Sequence, residues 1–227
     1  MFENPNTALG SDESSWLVNS RVFGAARKHK QNYLREHSTA RRSLHQQLSS
    51  DTNTLGLAQP IIRGIQEHAP ELASFSTSIV DQNIWERAAS PTIHTPTVEI
   101  NLFTLIKNFV GHVSIPSLVG IEFLEAYPTT LDDLWDLDGG SKWLMLGVNR
   151  LLGIPSLTRA HIARRRLLHA LHTFHRAIDR VHAGDEPEEP FRQLSDVGSL
   201  LETSRSLWRS NSLRDVNGLY DLSLLWA

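Results

Sequence analysis

A chain of 227 residues with 22 Lys and Arg against 25 Asp and Glu, a formal net charge of −3 and 40% hydrophobic residues has the apolar content for a core. Its charges carry no surplus that calls for a nucleic-acid or anionic-membrane partner. It holds no cysteine, which excludes disulfide staples, zinc sites built on thiolates, a cysteine nucleophile and a thiolate ligand to heme iron.

Residues 1–20 are polar and are expected to be irregular, without the apolar core of a signal peptide or anchor helix. Residues 21–42 are basic with only Glu36 in opposition, and predict an exposed helix. Leu57, Ile61, Ile65, Ala69 and Leu72 then recur at helical spacing, with Pro60 placed near the first turn and Pro70 placed to kink or restart the helix. Val98, Ile100 and Leu102 alternate as a strand does, so one short strand is expected at 98–102. From there the period changes: Leu102, Leu105, Ile106, Phe109, Val110 and Val113 follow the spacing of one buried helix face, which Ile115-Pro116 should end. Lys107, His112 and Pro116 interrupt the apolar stretch 102–123, so a buried helix followed by a turn fits it better than a membrane span.

Thr129 and Thr130 each precede a carboxylate by three residues, Asp132 and Asp133, as in a capping box. Gly139-Gly140 should break or loosen that helix before a second apolar run from Trp143 to Leu152. The strongest pattern comes next. Ser156 is placed as an N-cap, Leu167, Leu171, Phe174, Ile178 and Val181 form a stripe, and Gly184 is placed as a C-cap. Leu194, Val197, Leu201 and Trp208 suggest another amphipathic helix, and Leu219, Leu222, Leu224, Leu225 and Trp226 an apolar helix face that stops at Ala227. The class is mainly α, with an irregular segment 1–20 and an α-rich region over 21–227.

Three constellations could carry chemistry. Asp132-Asp133-Leu134-Trp135-Asp136 has the D-D-x-x-D spacing with which all-helical prenyl and terpene synthases share Mg²⁺ ions, but the second cluster such enzymes need has only Asp196 to Glu202 to offer, at the wrong spacing. At a helix N-terminus, acids are also simply favoured by the dipole. His169, His172 and His175, with His161 and His182 nearby, could chelate zinc or copper. Strict spacing of three makes the rings drift around the helix, and a solvated face explains them better. Arg164-Arg165-Arg166, and Arg27, Lys28, Lys30, Arg41 and Arg42, could meet phosphates, yet without aromatic platforms they read as solvated faces. No metal site and no nucleic-acid partner is therefore expected.

The order of segments resembles a family. Phe109-Val110-Gly111-His112, Phe123-Leu124-Glu125-Ala126-Tyr127-Pro128 and Leu131-Asp132-Asp133-Leu134-Trp135-Asp136-Leu137-Asp138 look like the helix E to helix F part of fungal cytochrome P-450 proteins, in the branch similar to prostacyclin synthase and the sterol 7-hydroxylases. Ile154-Pro155-Ser156, Arg159-Ala160-His161 and Arg164-Arg165-Arg166-Leu167-Leu168 resemble that branch's long helix G, and Leu222-Ser223-Leu224-Leu225-Trp226-Ala227 the start of its helix I. The resemblance covers residues 98–227, and more weakly 20–97. It implies a partial cytochrome P-450 fold from before helix C to early helix I, a b-type heme, an NADPH-dependent reductase as partner, and an apolar lipid, sterol or secondary-metabolite substrate. For an intact member it also implies the endoplasmic reticulum membrane. His37 and Arg41 match the helix C pair that meets a heme propionate, and Trp135, Trp143 and Leu146 would face substrate or pack. The family's cysteine ligand is missing, so the resemblance supplies no catalytic residue. The chain alone is expected to be inactive, with apolar stripes left exposed.

Overall fold

The computed structural model describes residues 11–35, 51–94, 97–186 and 189–191, and these are mainly helical. Helix α1 (Ser11–Arg21) has Asp12 and Glu13 in its first turn and Arg21 in its last, the order that suits a helix dipole. This corrects the expectation of an irregular 1–20 for its described part. Trp16, only 6% exposed, packs against the Tyr33 ring with centroids 5.3 Å apart and planes tilted by 55°, and Asn19 donates to the Tyr33 hydroxyl at 3.0 Å. One buried aromatic and one buried hydrogen bond hold a helix that its polar composition conceals. The basic stretch that follows is not simply exposed either: Val22, Phe23 and Tyr33 are buried, around the 3-10 turn Arg27–His29 and the helical residues 30–35.

Helix α2 (Asp51–His68) begins well ahead of Pro60, which therefore lies in its interior rather than its first turn. Pro60 is on the solvent side, where the carbonyl it leaves unpaired can meet water. As expected, Pro70 restarts the chain, as the 3-10 turn Ala69–Glu71. Helix α3 (Ile84–Ala88) opens on a capping box made by Asn83 and Glu86. Two strands follow, not one: β1 (Thr92–His94) and β2 (Thr97–Glu99) pair antiparallel, Thr92 with Glu99 and His94 with Thr97. A lone strand would leave its backbone groups unpaired, and the residues just upstream supply the partner. The ladder cannot reach Leu102, because Asn101 caps the next helix by accepting from the Thr104 N–H at 2.9 Å.

That helix, α4 (Leu102–Val119), runs through Pro116 rather than ending before it, and Gly120, at φ 94°, turns the chain into α5 (Ile121–Ala126). A proline deprives a helix of only one hydrogen bond, and the flanking Ile115 and Val119 are buried in the core, which holds the last turn in place. By length and composition α4 is also the one described helix that could cross a membrane. Here its Leu105, Phe109 and Val113 pack with Trp85 and Ala89, and Lys107 pairs with Asp138. The expectation of one wide buried face is corrected: Leu102, Ile106 and Val110 are 65%, 40% and 46% exposed. Helices α2 and α3 cover a narrower arc of α4 than its apolar residues span.

Helix α6 (Thr130–Met145) passes through Gly139-Gly140 without a break, and α7 (Pro155–Ala183) starts with Pro155 after an Ile154 cap, so Ser156 is inside it. Gly184 closes α7 in the left-handed region at φ 84°, as its position predicts. Leu167, Leu171, Phe174 and Ile178 are wholly buried, each favouring the fold by roughly 1.5–3 kcal/mol, while Val181 at the end of the stripe is exposed. With Leu131, Leu134 and Leu137 of α6, Val119, Phe123 and the 16–33 segment they form the main core. Phe123, Phe174 and Phe191 pack ring on ring at 5.1 and 5.0 Å. The second, smaller cluster around Trp85 is tied down by Glu86, whose buried carboxylate accepts from the Ser74 N–H at 3.1 Å.

Candidate functional site

Helices α6 and α7 are the most extensively packed pair, and the acidic cluster, the five histidines and the Arg164-Arg165-Arg166 run all sit on one of them. Gly140 permits their close crossing: a Cβ there would lie 2.7 Å from the Ser156 carbonyl oxygen and overlap the Ala160 side chain. Two ion pairs continue the seam from the crossing toward the α6 N-terminus in antiparallel order, Asp136 to Arg159 at 3.2 Å and Asp133 to Arg166 at 3.4 Å. A third, Lys107 to Asp138 at 3.0 Å, ties α6 to α4.

The D-D-x-x-D carboxylates are thus drawn apart. Asp133 is 4% exposed, and burial pushes its carboxyl above the ordinary range, against Arg166 and the hydroxyl of Thr129, which favour the charged form. Asp136 turns to Arg159. Asp132 is exposed, and its charge acts on His112 of α4, where burial nevertheless holds the imidazole below its usual range. The capping box expected at this end is replaced: Thr129 donates to the Asp133 carboxylate at 3.2 Å, and Thr130 to the Tyr127 carbonyl at 2.6 Å. This arrangement gives the Mg²⁺ alternative no support, since two of its three acids are engaged by arginines. The histidines diverge too: His169 and His172 are exposed and His175 is buried at 7%. Among the described residues no group of three or more His, Cys, Asp or Glu could hold a metal.

Trp135 packs rather than opening onto a cavity: its indole N–H donates to Asn108 at 3.0 Å and Lys107 lies 4.2 Å above its ring. Trp143 is half-buried against the main core. Leu146 differs. It opens the connection between α6 and α7, residues 146–154, where Leu146, Leu151 and Leu152 are 69%, 83% and 69% exposed. The arginine run divides its roles: Arg166 pairs with Asp133, Arg165 is exposed, and Arg164 turns inward.

Arg164, which the sequence reads as part of a solvated face, has a role that sequence reasoning missed. Its guanidinium donates to the Arg21 carbonyl at 3.1 Å, to the Val22 carbonyl at 3.3 Å and to His161 Nδ1 at 3.1 Å. Arg21 in turn reaches the Met145 carbonyl at the end of α6. No local signal marks this clamp, because the carbonyls that Arg164 grips are more than a hundred residues away in the chain.

His37 and Arg41, expected to meet a heme propionate, lie outside the described residues, as do Asp196 to Glu202 and the apolar face from Leu219 to Trp226. The donor set does not fit a thiolate-held heme on this chain alone, because no thiol is present. No protein-family model matches the chain, and no curated protein or solved structure matches it either.

Proposed function

We propose that this chain forms the α-rich, substrate-channel part of a heme-dependent monooxygenase of the cytochrome P-450 type, acting on an apolar substrate, and that it is inactive by itself. The observation that carries the reading is the α6–α7 hairpin. The two segments whose sequences resemble helices F and G lie antiparallel, and their connection presents Leu146, Leu151 and Leu152 to solvent. Leucines kept in water at the end of a helical hairpin gain by closing over an apolar ligand, the behaviour of a mobile roof on an apolar channel.

In such an enzyme a cysteine sulfur would hold a heme, and the heme would supply dioxygen activation with electrons from an NADPH-dependent reductase; this chain has no cysteine, so no catalytic step falls to it. What its own residues would do is shape and close an apolar space. The test is to express the longest open reading frame that contains this sequence and to record the absorbance of the reduced, carbon-monoxide-bound protein. A Soret band at the thiolate position is expected from the long product and not from the 227-residue chain with hemin. Diphosphate release from a prenyl diphosphate with Mg²⁺, or oxygenation by the 227-residue chain with heme, would overturn the proposal.

A further inference from the structure

We infer that Arg164 is a latch holding the α6–α7 connection against the end of α1, and that proton uptake by His161 opens it. The inference rests on side-chain geometry and not on the monooxygenase reading. Arg164 fastens α7 to the two carbonyls at the C-terminal end of α1, Arg21 and Val22, where the helix dipole also favours a cation. Arg21 fastens the same turn to the Met145 carbonyl, where the connection begins. The two arginines therefore tie the end of α1 to both helices that flank residues 146–154, one at the last residue of α6 and the other at the third turn of α7.

His161 sets the state of that strap. A guanidinium can only donate, so the 3.1 Å contact requires the lone pair of His161 Nδ1, with the ring proton on Nε2. A proton taken from solvent at Nδ1 puts donor against donor and cation against cation at that distance. The charges acting on His161 are Arg164 and Arg165 of α7 and Arg150 of the 150–152 turn, all positive; Arg159 is paired with Asp136, and the Arg21 side chain is engaged with Met145. Burial first, then these three arginines, hold the imidazole below its ordinary range. The sign follows: a depressed histidine stays neutral in the closed form at neutral pH, and the latch opens as pH falls through that lowered value. Opening frees Arg164 from two carbonyls and leaves Arg21 as the remaining one of the two arginine ties to the end of α1.

The absence of native cysteine makes a direct measurement possible. In the full chain, Leu17→Cys and Leu151→Cys, both at exposed positions, take one nitroxide each, and pulsed electron spin resonance reads the α1-to-connection distance. One distance is expected at neutral pH. A longer population should grow as pH is lowered to about 4.5, its ratio to the first changing by at most about tenfold per pH unit, the limit for one proton. His161→Asn, whose amide oxygen replaces the Nδ1 acceptor without titrating, should keep the single distance across the range, and Arg164→Gln should show the longer one at neutral pH. The inference is overturned if His161→Asn follows the parent's pH curve. It is equally overturned if the parent keeps one distance throughout, or if circular dichroism shows that the parent unfolds before any second distance appears. Should Arg164→Gln fail to fold, the His161→Asn comparison still decides.

Discussion

Two adjacent glycines with opposite surroundings separate helix propensity from packing. Gly139 and Gly140 both lie inside α6, where alanine is preferred to glycine by about 1 kcal/mol on propensity alone. Around Gly139 nothing lies within 4 Å of where a Cβ would be, whereas at Gly140 that atom would strike Ala160 and sit 2.7 Å from a backbone oxygen of Ser156. Backbone cannot yield as a flexible side chain can, and overpacking of this kind costs about 1–3 kcal/mol. By urea denaturation, Gly139→Ala should therefore raise stability by up to about 1 kcal/mol, and Gly140→Ala should lower it by up to about 2 kcal/mol after the propensity gain is subtracted. Equal shifts of one sign would mean that α6 and α7 do not cross at Gly140. From sequence the pair reads as a helix breaker, because the feature that rescues the helix, a neighbour pressed against it, belongs to another element.

At the scale of elements, what was legible is what depends on neighbours in the chain. The stripe Leu167, Leu171, Phe174 and Ile178 and the Gly184 cap are local patterns, and α7 forms where they place it. The helix α1 and the passage of α4 through Pro116 depend on distant contacts, on Tyr33 for Trp16 and on the core for Ile115 and Val119. The α6–α7 seam adds a test of charge. Burial raises the Asp133 carboxyl above its ordinary value despite Arg166, so the protonated acid favours the fold. That contribution is complete below the ordinary carboxylate pKa and is lost as pH rises through the raised one. Asp133→Asn is neutral throughout and escapes the loss. The melting temperature of the variant minus that of the parent is thus expected to increase from about pH 3 to about pH 6. A difference that is flat, or that falls with pH, would show the Arg166 ion pair to outweigh burial.

For the whole molecule, the candidate site was legible in its members but not in its assembly. Asp133, Asp136 and the arginine run are visible in sequence; that they serve as seam and latch depends on α6 meeting α7 and on the end of α1 lying within reach of both, and no spacing encodes either. The exposed faces follow the same logic. Leu102, Phe103, Ile106 and Val110 line one side of α4 at 65%, 78%, 40% and 46% exposure, a cluster of large apolar side chains of the sort that associates in water. Hydrophobic association has little geometric demand, so it should appear as weak, concentration-dependent self-association rather than a defined oligomer. Phe103 is the most exposed of the four side chains and is absent from both buried clusters, so Phe103→Glu should leave the unfolding stability within about 0.5 kcal/mol of the parent, the range of ordinary surface changes. The same change should reduce light scattering at high protein concentration, and added salt, which screens the new charge, should restore part of it. Scattering that is unchanged by Phe103→Glu would locate the sticky surface elsewhere, with the leucines of residues 146–154 as the next to substitute.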